Sequence, residues 1–193
     1  MTRTARVERT TKETEVRVEL ELDGSGSASA DTGIPFFDHM VEQLGTHARF
    51  DLSVAAKGDL EVDGHHTVED VGLALGQALN EALGDRAGIV RFASITVPLD
   101  EAAIHVALDL SGRPFVVHDV DVSAETIGTY DTGLTEDFVR ALATSAELTV
   151  HVRSVAGRSP HHMVEAEFKA LATCLRQAIR IIGTDVPSTK GTL

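Results

Sequence analysis

One pattern occurs twice in this chain: a histidine couplet followed by glutamate three residues after its second member. The copies are His65, His66 and Glu69, and His161, His162 and Glu165, with their first histidines about half of the 193 residues apart. Each copy opens a stretch of helical periodicity. Val68, Val71, Leu75, Leu79 and Leu83 follow the first couplet, and Phe168, Leu171, Leu175 and Ile179 follow the second, at steps of three or four that put them on one helix face. A chain that repeats such a segment reads as one unit duplicated, with its chemistry where the copies meet.

The remaining elements agree with that reading. Residues 14–22 alternate charged and apolar side chains, which predicts an amphipathic strand. A turn at 23–26 and a short strand at 27–32 are expected to complete a hairpin with it. A helix is expected over 34–44, with Pro35 in its first turn and Gly45 near its end, then a strand at 50–56 and the helix 66–83 closed by Gly84. The second half runs through strands at 90–98, 104–110 and 115–122, a helix at 134–146, a strand at 148–152 and the helix behind His161. The expected fold class is α+β: an internally duplicated unit, each half a mostly antiparallel or mixed four-stranded sheet with helices packed on one face. The halves are placed at 1–86 and 87–193 within one compact domain, and residues 185–193 form a tail without periodicity.

Composition narrows the function classes. A formal charge of −13, from 30 acidic against 17 basic residues, argues against a nucleic-acid or anionic-membrane surface, so any phosphate chemistry needs locally gathered cations. Cys174 is the single cysteine, which excludes a disulfide framework and a thiolate metal site within one chain. Neither an apolar run behind residues 1–6 nor any segment of membrane-spanning length is present, and a cytoplasmic, unexported protein is the expectation.

Paired imidazoles and carboxylates suggest metal ligation. On a helix, positions three or four apart share a face, so Glu69 can reach the same ion as His65 or His66. Adjacent residues diverge by about 100°, so each couplet more naturally serves two ions. The donor set suits Mn, Fe, Co or Zn, and a helix start keeps imidazole neutral, as ligation requires. One such string alone would be an ordinary solvated helix start; its recurrence at matching positions of a repeat favours metal. Neither copy matches the His-Glu-x-x-His helix of zinc peptidases. His39, His47 and His151 carry weaker signals and no other histidine lies near His39 on its face; His105 and His118, in expected strands, carry the weakest. Arg91, Arg113, Lys169 and Lys190 read alone as surface cations, and Glu13 has no signal of its own.

Taken together, residues 11–14, 37–40, 50–52, 65–70, 98–102, 109–114, 161–165, 168–170 and 187–191 resemble the imidazoleglycerol-phosphate dehydratases of histidine biosynthesis, over nearly the whole chain. The resemblance implies a monofunctional hydro-lyase that converts D-erythro-imidazoleglycerol phosphate to imidazole acetol phosphate and water. It implies two Mn²⁺ ions per site and trimers assembled into a 24-subunit homo-oligomer with sites at subunit contacts. Carried over by motif, the implied metal ligands are His39, His65, His66, Glu69, His161, His162 and Glu165. Glu13, Glu69 and Glu165 are the implied acid/base candidates. Arg91, Arg113, Lys169, Ser188 and Lys190 are implied to hold the phosphate, and His39 and His47 stand with Glu13 among the implied substrate contacts. One departure is visible: where the family commonly has a further histidine ligand, this chain has Glu136 and Asp137. Glu136, Asp137 or His151 could fill that position, or the ion there could bind more weakly. Two other readings stand beside this one. A dimetal phosphoesterase would release inorganic phosphate, and a metal-binding shell protein would hold metal without turnover.

Overall fold

A computed structural model describes residues 2–122 and 125–193. Met1, the first residue of the stretch read as lacking an apolar leader, lies outside the described residues. In the first half the elements are β1 (Thr4–Thr10), β2 (Thr14–Glu21), β3 (Ala28–Asp31), α1 (Pro35–Ala48), β4 (Asp51–Gly58) and α2 (His65–Leu83). The second half has β5 (Phe92–Leu99), β6 (Ala102–Asp109), β7 (Phe115–Asp119), a small hairpin of β8 (Thr126–Ile127) and β9 (Tyr130–Asp131), α3 (Leu134–Ser145), β10 (Thr149–Ala156) and α4 (Pro160–Ala178).

The two four-stranded sheets have the same topology, β1-β2-β4-β3 and β5-β6-β10-β7. In each, the last two strands of the order run parallel and the other pairs antiparallel. The fold is therefore α+β and built from a repeated unit. Residues 27–32 do not form the expected hairpin with β2: β3 instead pairs parallel with β4, with Ala28 opposite Leu52. The reason lies in α1, whose Phe37, Met40, Val41 and Leu44 are buried. Covering the sheet with that apolar face requires the chain to cross over through the helix and return parallel. The strand β1 escapes the alternation rule because it is an edge strand in which Val7 alone is buried. The helix α1 also runs past Gly45 to Ala48 before Arg49 caps it in the left-handed conformation, at φ 63°.

Each half lays its two helices on one face of its own sheet, α2 on β1, β2 and β4, and α1 on β3 and β4; α4 covers β5 and β6 while α3 lies beside β7. The helix layers then face each other, α1 against α4 and α2 against α3. The result is a four-layer sandwich with a pseudo-twofold relation between its halves. At the centre, Phe37, Tyr130, Phe138 and Phe168 are fully buried. Ring centroids lie 6.0 Å apart for Phe37 and Tyr130, 5.4 Å for Phe37 and Phe138, and 5.1 Å for Phe138 and Phe168, within the range where aromatic pairs add attraction beyond burial.

All four helices start at the same end of this sandwich. A Cβ on Gly64, the residue before α2, would lie 3.1 Å from Ile34 at the start of α1 and 3.3 Å from Leu134 at the start of α3. The Phe36 ring lies 5.1 Å from that of His161 at the start of α4. The repeated couplets thus sit on converging helix N-termini, whose positive ends disfavour imidazolium.

Candidate active site

The crossed pairing of helices sorts the candidate residues into two groups. In the first, α1 presents His39, Gln43 and His47 at steps of four, and α4 presents His161, Glu165 and Lys169 at the same steps. Glu165 is the hub: its carboxylate lies 3.2 Å from His161 Nε2 and accepts from Lys169 Nζ at 2.7 Å and from Gln43 Nε2 at 3.4 Å. The Gln43 side chain lies 3.4 Å from His39 Nε2 and 2.7 Å from His47 Nε2. Partial burial pushes Glu165 up, but the Lys169 ammonium, with His39 and His161, outweighs it and holds the carboxyl below its ordinary value. Burial, reinforced by Lys169, lowers His47. The reading of His39 as a lone histidine on its face is corrected here: His47 lies two turns on, and Gln43 bridges them. Steps of four from His39 would have revealed that face.

The second group joins α2 to α3. Asp137 Oδ2 lies 3.3 Å from His65 Nδ1, and the repeat sets Asp137 opposite His39. Of the three residues open for that position, Asp137 is the one brought to a couplet. Glu136 pairs instead with Arg140, and His151 lies on β10 with its ring 6.5 Å from that of Phe115. Glu69 is exposed, and among the described residues it makes no hydrogen bond or ion pair with either histidine.

The second members of the couplets turn away from their neighbours. Ring centroids within each couplet are 6.0 Å apart, with planes at 72° and 87°. His66 Nδ1 lies 3.1 Å from both Asp59 oxygens, and its Nε2 lies 3.9 Å from Glu13. His162 Nδ1 donates to Glu101 at 2.7 Å, and its Nε2 lies 3.9 Å from Asp100. Glu13 stands on the β1–β2 turn and Glu101 on the β5–β6 turn, so the halves match again. Donating to the Asp59 carboxylate raises the pKa of His66, and donating to Glu101 raises that of His162. The same bond, with the Ser159 N–H, lowers Glu101 to about 2. A carboxylate on Nδ1 sets the tautomer that leaves Nε2 as a donor to metal. Sequence reasoning missed Asp59 and gave Glu101 no role, since each meets its histidine only through the folded sheet.

The cations are divided. Arg91, Arg113, Ser188 and Lys190 line one shallow hollow beside the tail, and Lys169 is not among its lining residues. Arg91 adopts φ 78°, a strained value for a residue other than glycine. It is held there by Asp109 at 2.7 and 3.1 Å and by the carbonyl of Pro187 at 2.7 Å. One expected phosphate cluster is therefore two groups within a single chain, because Lys169 on α4 is drawn to Glu165.

A sequence model of the family described as imidazoleglycerol-phosphate dehydratase matches residues 32–175. The chain belongs to this family. The imidazoleglycerol-phosphate dehydratase of Parafrankia sp. (strain EAN1pec) is 57% identical, with all of both chains covered. The chloroplastic enzyme of Pisum sativum is 53% identical over all of this chain and 69% of its own. Solved dehydratases from Pyrococcus furiosus and Staphylococcus aureus superpose with TM-scores of 0.85 and 0.84, at 35% and 33% identity. These alignments cover 97% and 93% of this chain, and 100% and 99% of theirs.

As a member of this dehydratase family, the chain is a hydro-lyase. Its donor set fits a divalent cation of borderline hardness: imidazole beside carboxylate at His161 and Glu165 and at His65 and Asp137, with His66 and His162 backed by carboxylates. Among the described residues, no three histidine, cysteine, aspartate or glutamate side chains converge as a complete site within one chain.

Proposed function

We propose that this dehydratase converts imidazoleglycerol phosphate to imidazole acetol phosphate in histidine biosynthesis. It does so with two Mn²⁺ ions held between copies of the chain. The observation that carries the reading is that each couplet pairs its first histidine with a carboxylate, His65 with Asp137 on the facing helix and His161 with Glu165 one turn further along its own. His39, His161 and Glu165 supply donors from one group, His65 and Asp137 from the other, and His66, His162 and Glu69 complete the set from neighbouring copies. A divalent ion there supplies Lewis-acid stabilisation of negative charge on the substrate ring.

The difficult step is removal of a weakly acidic C–H proton. In the net reaction the C2 proton and the C3 hydroxyl leave as water, and the resulting enol becomes the ketone. Glu13 is suited to take that proton: its side chain is 55% exposed and lies 3.9 Å from His66, with no lysine or arginine paired to it among the described residues. Glu165 is a poorer base because Lys169 occupies it. Arg91, Arg113, Ser188 and Lys190 grip the phosphate, supplying the local positive charge that an acidic protein otherwise lacks.

The assembly is a homo-oligomer, read as 24 subunits built from trimers. Support comes from the incomplete donor groups and from Phe92, Phe115, Ile181 and Ile182, which stay more than half exposed in the single chain. Among the described residues no helix is long and apolar enough to cross a membrane; we propose a cytoplasmic enzyme. The test is turnover of imidazoleglycerol phosphate by a Glu13→Gln variant with metal content confirmed equal to the parent. A loss of about 10²–10⁴-fold is expected for a removed general base; parental turnover would overturn the assignment.

A further inference from the structure

We infer that Asp70 is a positioning residue for this reaction, holding the turn that carries Glu13; the inference rests on the proton-transfer role proposed for Glu13. Asp70 lies one residue beyond Glu69 on α2 and is only 6% exposed, a costly place for a carboxylate unless it is paired. Both of its partners flank the β1–β2 turn. Arg9 Nε donates to Oδ1 at 2.8 Å, and the Thr14 hydroxyl donates to Oδ2. From Thr14 the chain of hydrogen bonds continues to the Thr11 hydroxyl at 3.3 Å, which accepts from the backbone N–H of Glu13 at 3.1 Å and of Thr14 at 3.0 Å. The helix that presents His66 is thereby tied to the backbone of the residue that faces it.

The duplication supplies a control within the molecule. In the second half the position matching Asp70 is Ala166, fully buried, which has no side-chain polar atom to hold the β5–β6 turn. There the carboxylate itself is locked, Glu101 accepting from His162 Nδ1 at 2.7 Å and from the Ser159 N–H at 2.8 Å. Glu13 makes no side-chain hydrogen bond among the described residues. The second half fixes its turn through the side chain, which removes that carboxylate from proton transfer. The first half fixes the backbone through Asp70 and leaves the Glu13 side chain free to exchange a proton. General-base catalysis needs that combination of a placed group and an unoccupied carboxylate.

The experiment is a double-mutant cycle on the Mn²⁺-loaded enzyme with imidazoleglycerol phosphate, using Asp70→Ala, the residue of the second half, and Glu13→Gln. Asp70→Ala is expected to lower kcat by about 10–100-fold with KM and bound metal unchanged, and to speed amide hydrogen exchange over residues 11–14. In the Glu13→Gln background it should cost less than about twofold further, since its effect passes through Glu13. An equal loss in both backgrounds, or a loss confined to KM or metal content, would overturn the inference. Parental turnover by Glu13→Gln would instead remove Glu13 from the reaction, a different failure. If Asp70→Ala does not fold, Thr14→Val breaks the same relay while sparing the Arg9 pair, and an unchanged kcat in that variant would be equally fatal.

Discussion

His118, on β7, donates from Nε2 to Glu167 on α4 at 2.9 Å, and both side chains are almost wholly buried. Burial alone lowers its pKa, but Glu167 and, more weakly, Glu136 on α3 outweigh both burial and the opposing charge of Arg140, so the net shift is upward from 6.5. The sign follows from linkage. A raised folded-state value means the pair contributes stability fully below pH 6.5, and that contribution is lost as pH climbs through the shifted value. Between pH 6 and 9 the Tm of the parent should fall by a few degrees more than that of His118→Gln; parallel curves would contradict the charged pair. From the sequence His118 is only a weak candidate ligand, with no sign of this contact. Its partner was invisible, because Glu167 lies 49 residues away in the chain. The same limit applies to Asp59 and Glu101, whereas the couplets announced themselves through spacing.

Among the elements, α2 approaches α3 closely because Gly72 and Gly76 carry no side chain there. A Cβ on Gly72 would lie 2.9 Å from the Phe138 carbonyl oxygen, and one on Gly76 2.5 Å from that of Leu142. Alanine favours a helix interior by about 1 kcal/mol over glycine, yet backbone cannot yield as a flexible side chain does. Gly76→Ala should therefore destabilise the fold by about 1–3 kcal/mol, read as a lower denaturant midpoint; a raised midpoint would contradict the packing. Apolar periodicity made α2 and α4 legible from sequence. The crossed pairing of helices from opposite halves and the parallel return of β3 were not, since each depends on which faces meet. The edge strand β1, with one buried residue, offered no alternation to detect.

At the scale of the molecule, two matching halves share one helical interior, and each candidate metal group draws on both of them. Ions bridging further copies would bind the assembled state more tightly than dissociated chains, stabilising it by mass action. Withdrawing metal with a chelator should lower Tm and shift sedimentation towards smaller species, both restored by Mn²⁺; unchanged sedimentation and Tm would argue against bridging ions. The repeated couplet, its helices, the family and the α+β class could be read from the sequence alone, because spacing along a helix and recurrence along a chain are local properties. Which carboxylate meets which ring was decided only in three dimensions. Asp137 at His65, Glu101 at His162 and Lys169 away from the arginines all depend on sheet register and helix crossing, which bring together residues whose positions along the chain carry no mark of their meeting.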